Sequence, residues 1–150
     1  MKVKEIMSPK LQWADANMPI EQAARKMREF DIGCLPVREQ GNGKLIGMVT
    51  DRDIACRAVA MGRVLATTKV RDVMSTGSAS CFADQDVSDA VHLMEEKQLH
   101  RLAVLDSKNK LVGMLSLADV ALHSSHEISG EIIEAISRHV PAKAEQSTLP

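Results

Sequence analysis

The chain has 150 residues, 45% of them apolar and 26% charged, with 19 Lys and Arg against 20 Asp and Glu and a formal net charge of −1. That length holds one domain with a full core, or two half-size units that share one, and the near-neutral balance without a long basic block excludes a general nucleic-acid binder. No apolar run approaches the roughly 18 residues of a membrane span, and the opening MKVKEIMSP lacks the apolar stretch of a secretory signal, so the expectation is a cytoplasmic protein with no membrane association.

In chain order, VKEIMS (3–8) leads through an extended segment containing Trp13 to Ile20, Ala23, Ala24 and Met27. Their i, i+3, i+4, i+7 spacing predicts a core-facing helix. GCLPV (33–37) reads as a strand, GNGK (41–44) as a turn and LIGMVT (45–50) as a second strand, paired antiparallel with the first across so short a connection. A second helix is expected to start near Asp51. Residues 62–69, GRVLATTK, read as a connection.

The same series then comes again. VRDVMS (70–75) matches VKEIMS, and Val87, Ala90, Val91 and Met94 fall on the helical positions of the first copy. HRLAVL (100–105), SKNK (107–110) and LVGMLS (111–116) repeat strand, turn and strand, and KLVGMLSLADVA aligns with KLIGMVTDRDIA without a gap. A further helix starts near Leu117. HEISGEIIEAISRHV (126–140) places Ile128, Ile132, Ile133, Ile136 and Val140 on roughly one face, as a terminal helix that ends before Pro141; residues 141–150 are read as a loose tail.

Each copy therefore reads as strand, helix, strand, strand, helix, an α+β unit of about sixty residues that would leave much of its apolar sheet exposed if alone. The expectation is a pseudo-twofold pair packed through the two sheets, with residues 1–62 as the first repeat, 63–125 as the second, 126–140 as a terminal helix and 141–150 as tail. Methionines in matched positions (Met7 and Met74, Met27 and Met94, Met48 and Met114) are read as adaptable core at the seam.

The strand-to-helix junctions GMVTDRDIA (47–55) and GMLSLADVA (113–121) carry the chemistry. T-x-x-D and S-x-x-D at a helix start are capping boxes, with hydroxyl and carboxylate each satisfying a backbone N–H. The same groups are suited to a nucleotide: the helix start and hydroxyl hold phosphate, and an Asp one turn later accepts from two ribose hydroxyls. Gly47 and Gly113 leave room for a flat base or another backbone. Both readings stand on the sequence alone.

Together these residues resemble the cystathionine beta-synthase (CBS) domain family, in which two repeats form a Bateman module. The resemblance rests on the IMS-type openings, the strands ending in xLPV and HRLxV, and the two G-h-h-T/S-x-x-D motifs, in order and duplicated over residues 1–125. It implies a regulatory module, not an enzyme, that binds an adenosine-containing ligand (AMP, ADP or ATP, with S-adenosylmethionine or NAD as further candidates) in clefts between the repeats. Carried onto this chain, it assigns ribose and phosphate contacts to Thr50 with Asp53 and to Ser116 with Asp119.

Because the family's clefts mix both repeats, His100 and Arg101 are expected to clamp phosphate near Thr50 and Asp53, while Ser116 and Asp119 face the uncharged Gly33 and Cys34. The phosphate site is therefore expected at the first copy. Ala103 departs from the pattern, where the first repeat has Pro36. With one Trp, two Phe and no Tyr, adenine is expected between mostly aliphatic side chains, the candidates being Trp13, Pro36, Val37, Ala103 and Val104.

The resemblance further implies a homodimer and a separate protein target, with no obligatory cofactor; the rival reading is a protein-interaction or scaffold module that binds no nucleotide. His123, His126 and Glu127 lack a well-spaced further ligand, so no metal is expected. The three cysteines are odd in number and widely spaced, which suggests no disulfide framework. Cys34 sits in an apolar strand where burial blunts a thiol, and there is no nucleophile elbow or Walker pattern to suggest an enzyme.

Overall fold

The computed structural model describes residues 1–77 and 79–138. The terminal-helix residue Val140 and the tail 141–150 lie outside the described residues. The elements are α1 (Val3–Ile6), β1 (Ala14–Asp15), α2 (Ile20–Phe30), β2 (Cys34–Arg38), β3 (Leu45–Thr50), α3 (Asp51–Ile54), β4 (Ser75–Thr76), β5 (Ser80–Phe82), α4 (Val87–Lys97), β6 (Arg101–Leu105), β7 (Leu111–Ser116), α5 (Leu117–Leu122) and α6 (His126–Ser137). α3 runs on as a π-helical turn, Ala55–Val59, and a 3-10 turn covers Val70–Asp72. The strand, helix, strand, strand, helix order expected of each copy is present twice.

Two sheets form, β1-β2-β3-β4 and β5-β6-β7. In each the strand before the helix pairs parallel to the next, as a crossover through a helix requires, and the hairpin pairs antiparallel. The register is the same in both: Cys34 opposes Thr50, and Arg101 opposes Ser116. The turns differ in chemistry. Gly41 and Gly43 supply the positive φ in the first, while Asn109, at φ 61°, does so in the second.

α2 buries Ile20, Ala23 and Met27, and α4 buries Ala90, Val91 and Met94, so the helical spacing in the sequence marks the inward face. Leu35, Val37 and Val49 meet the first helix; Leu102, Val104 and Leu115 meet the second. Pro36 and Ala103 are also buried but point to the opposite faces of their strands.

The cores cross the repeat boundary. Val3 and Ile6 of α1 pack with Met94, Leu102 and Leu115 of the second unit, while Val70 and Val73 pack with Ile20, Leu35 and Val49 of the first. Backbone bonds follow the same exchange. Val3 N–H donates to Gln85 O and Ser8 pairs with Met114 in both directions, whereas Val70 N–H donates to Met18 O and β4 pairs with β3. Two matching openings thus complete the unit of the other copy.

Gly47 and Gly113 are where these openings come closest. A Cβ on Gly47 would lie well inside contact distance of Ser75 O, and one on Gly113 would lie 2.8 Å from both Ser8 O and Met7 Sδ. It is backbone, then, that these glycines admit.

α6 docks on α4 and α5. Ser125 Oγ accepts from Ile128 N–H as its cap, and Ile132 and Ile136 are buried. Ile128 and Ile133 remain 51% and 47% exposed, so the inward stripe is narrower than the expected five-residue face.

Candidate functional site

Both helix starts are capped as their sequences allow. Thr50 Oγ1 accepts from Asp53 N–H at 3.1 Å, and Asp53 Oδ2 accepts from Thr50 N–H at 2.9 Å. Ser116 and Asp119 make the same pair at 3.1 and 2.8 Å. One difference matters for chemistry. Ser116 Oγ also donates its proton to Asp119 Oδ2, at 2.7 Å, and no counterpart bond joins Thr50 Oγ1 to Asp53 Oδ2. The Thr50 hydroxyl therefore keeps its donor for something else.

A cleft of about 600 Å³ opens beside the first junction, lined from the first unit by Cys34, Met48, Thr50, Arg52 and Asp53 and from the second by Lys97, Gln98, Leu99, His100 and Arg101. Ser75, Thr76, Gly77 and Ala79 form a wall between them. The structure thus brings Thr50, Asp53, His100 and Arg101 into one cavity. Thr50 ends β3 and Arg101 starts β6.

The charge in the cleft is lopsided. Arg52, Lys97 and Arg101 face the single carboxylate of Asp53, a net positive surround that suits an anion. Cys34 senses the same field: burial pushes its thiol up to about 11, Arg101 pulls it down, and Asp53 and Asp51 push it up. The thiol stays neutral and unreactive, as its apolar strand suggests.

The second junction is built differently. The pocket beside Ser116, about 350 Å³, is lined by His100, Arg101, Leu117, Ala118, Ala121 and Ile133, all from the second half of the chain. Asp119, Gly33 and Cys34 do not line it, so this pocket does not bring Ser116 together with the expected Gly33 and Cys34. Two neighbours account for this. α6 brings Ile133 to the pocket rim, and a Cβ on Gly33 would meet Asp51 Oδ2 at 2.9 Å, so a carboxylate fills the place that His100 holds in the other copy.

The expected adenine residues also fall elsewhere. Val37, Ala103 and Val104 are fully buried, and Pro36 is buried too, leaving no surface for a base. Trp13 is held between two cations, Arg38 at 4.0 Å and Lys26 at 5.7 Å from its ring centroid, and Arg38 is itself paired with Asp15 at 2.8 Å. None of the five lines the cleft. Its apolar walls are Met48, Leu99 and Ala79 instead. The sequence marks two of these only as core and seam positions, because partial burial at a cleft edge and burial in a core leave the same pattern.

Arg52 and Lys97 are functional candidates that the sequence reading missed. Arg52 stands inside the T-x-x-D motif, and Lys97 is the last residue of α4, before Gln98 turns the chain with φ 53°. A lone helix-end Lys carries no signal until the strand that follows is placed.

His123 Nδ1 lies 2.8 Å from Asp119 O, and among the described residues no group of three or more His, Cys, Asp or Glu is placed to hold a metal ion. Among the described residues no helix is long and apolar enough to cross a membrane.

Comparison with known proteins agrees with this architecture. The chain is 40% identical over 136 residues to the CBS domain-containing protein YhcV of Bacillus subtilis, covering 90% of this chain and 94% of the relative. The crystal structure of the CBS domain protein TA0289 of Thermoplasma acidophilum superposes with a TM-score of 0.78 at 26% identity, over 90% of this chain and 75% of that one. The CBS domain pair of MJ0100, solved in complex with 5'-methylthioadenosine and S-adenosyl-L-methionine, superposes with a TM-score of 0.72 at 25% identity, over 82% and 98% of the two chains. The CBS domain family model matches twice, over residues 3–58 and 70–126. Duplicated sequence, interlocked cores and these likenesses all say that the chain belongs to the CBS domain family and is a tandem pair.

Proposed function

We propose that the protein is a regulatory module that binds an adenine nucleotide of the AMP, ADP or ATP class in the cleft between its two repeats and passes occupancy on to a separate protein. The observation that carries this is the joining, in one cavity of about 600 Å³, of Thr50 and Asp53 from one repeat with Lys97, His100 and Arg101 from the other. A ligand held by both repeats favours whichever relative arrangement it fits best, which is all that signalling by population shift requires. The adenosine-based ligands of the MJ0100 pair support a nucleoside in this family's clefts.

In this reading the ribose hydroxyls bind Asp53 through the oxygen its cap leaves free, phosphate meets Thr50, His100, Arg101 and Lys97, and adenine lies against Met48 and Leu99. The positive surround favours an anionic nucleotide over the sulfonium of S-adenosylmethionine. The second junction, with a smaller pocket lined from the second half of the chain alone and its hydroxyl already donated, is the weaker site. The protein acts in the cytoplasm as a homodimer, and Val59, Met61 and Val64, at 59%, 70% and 64% exposure, support an association surface on the first unit.

Thermal-shift assays and calorimetric titration of ligand-free protein with AMP, ADP, ATP, NAD and S-adenosylmethionine test the proposal. At 100 times its dissociation constant a bound nucleotide adds about 2.7 kcal/mol of stability. Asp53→Ala is expected to weaken nucleotide binding roughly 5- to 150-fold while costing only about 1 kcal/mol of stability as a lost cap. The rival reading, an interaction module without nucleotide, draws on the fact that the capping boxes already occupy Thr50 and Asp53. It predicts a flat ligand panel, and a mutant that loses stability alone.

A further inference from the structure

The guanidinium of Arg57 reaches from Asp53, which lines the cleft, to Val73 and Met74, which lead into the cleft wall. Its Nη1 donates to Val73 O at 3.2 Å and Met74 O at 3.3 Å, and its Nε lies 3.8 Å from Asp53 Oδ1. Asp53 Oδ1 is the oxygen that the cap does not use, since Oδ2 takes the Thr50 N–H. Val73 and Met74 run directly into Ser75, Thr76 and Gly77, the wall of the cleft.

The backbone around Arg57 is arranged for this reach. α3 gives way after one turn to the π-helical turn Ala55–Val59, in which Ala60 N–H bonds back to Ala55 O and Arg63 N–H to Ala58 O. A π turn is rare, and it sets the side chains that follow at angles an α-helix would not. On its other side the same wall is pinned to β3, because the missing side chain of Gly47 lets Ser75 O approach. The wall is therefore held by a close backbone contact at one edge and by Arg57 at the other.

The second copy lacks the device. His123 aligns with Arg57, yet its ring meets the Asp119 main-chain carbonyl at 2.8 Å and not the carboxylate. Among the described residues the helix there ends at Leu122 without a π turn. Duplication supplied two caps, and only one of them acquired a cationic strut.

We propose that Arg57 is a positioning residue that couples the Asp53 carboxylate to the inter-repeat wall 73–77, so that a group engaging Asp53 is felt by the segment joining the two repeats. When the carboxylate's second oxygen is drawn toward ligand hydroxyls, the Arg57 head loses part of its anchor and its hold on Val73 and Met74 changes. This assigns a route for regulation at the cleft, and rests on the cleft reading above only where a nucleotide is involved.

Two measurements test it, the first without any ligand. Hydrogen exchange of the amides of residues 74–77 is expected to quicken roughly tenfold in Arg57→Ala. Asp53→Asn should quicken the same amides, although the Asp53 side chain bonds only within its own helix start and to Arg57. Thr50→Ala, which removes the other half of the cap and leaves the Asp53–Arg57 contact in place, is expected to leave them at the wild-type rate. Arg57→Lys keeps the charge but not the fork, and should fall between; it also serves if the alanine variant does not fold. Wild-type exchange at 74–77 in Asp53→Asn, or equal quickening in Thr50→Ala, overturns the coupling.

The second measurement is a double-mutant cycle on ATP affinity. Arg57→Ala is expected to weaken binding about tenfold in the wild-type background and by less than about twofold in Asp53→Asn. Equal losses in both backgrounds overturn the coupling, whereas absence of ATP binding by the wild-type protein overturns the nucleotide reading and leaves the exchange experiment to decide on Arg57.

Discussion

At the scale of single residues, the thiols report the environments in which the chain has placed them. Cys34 and Cys81 are both pushed up to about 11, in each case chiefly by burial, while Cys56 is exposed on the π-helical turn. At pH 8 maleimide is therefore expected to label Cys56 first, with Cys34 slower because its thiol in the cleft lining stays protonated and Cys81 reacting only as the protein opens, as peptide mapping would show. The pH dependence follows in sign. A thiol whose folded value is raised from 9.0 to about 11 favours the folded state fully below pH 9, and that contribution is lost as pH climbs toward 11. Urea melts across this interval should show falling stability, and a Cys81→Ser variant should show a shallower fall; an unchanged slope would remove Cys81 from the account.

At the scale of elements, the contrast among glycines separates a fitted contact from a merely permitted one. Gly47 faces the backbone of β4, so Gly47→Ala must push Ser75 away from β3, and a loss of about 1–3 kcal/mol is expected. Because Ser75 also belongs to the cleft wall, that variant should bind nucleotide more weakly as well. Gly130 lies inside α6 with open space where a Cβ would sit, so Gly130→Ala should gain up to about 1 kcal/mol from helix propensity. Chemical denaturation of both variants checks the pair. A neutral or stabilising Gly47→Ala would mean that the close approach there is not a constraint.

At the scale of the whole molecule, the exchange of openings makes each unit depend on the other. Val3 and Ile6 are buried in the second unit at 0% and 6% exposure, and Val70 and Val73 are wholly buried in the first. Each fully buried aliphatic side chain contributes about 1.5–3 kcal/mol, so a fragment cut between the copies forfeits a sizeable part of its core. Fragments 1–62 and 63–150, expressed alone, are expected to lack cooperative unfolding and to regain it when mixed. The full chain should unfold in one transition. A cooperative melt from either fragment alone would show that the borrowed segment is dispensable.

Much of this was legible in the order of residues. The repeat, the inward helix faces at positions 20, 23 and 27 and at 90, 91 and 94, the hairpins and both capping boxes follow from local periodicity and turn chemistry, which act over a few residues and leave a mark there. The meeting of Thr50 and Asp53 with His100 and Arg101 was legible only through the family resemblance, because no local rule joins residues fifty positions apart. What only the tertiary structure decided is long-range by nature. It places the openings on opposite units, keeps Trp13 and the strand centres Val37 and Val104 out of the cleft lining, and adds Arg52 and Lys97 to it. It also makes the two duplicated junctions unequal. Near-identical stretches carry the same cap, but whether α6, the Asp51 carboxylate or the Arg57 guanidinium stands beside that cap depends on which surfaces meet when the whole chain folds.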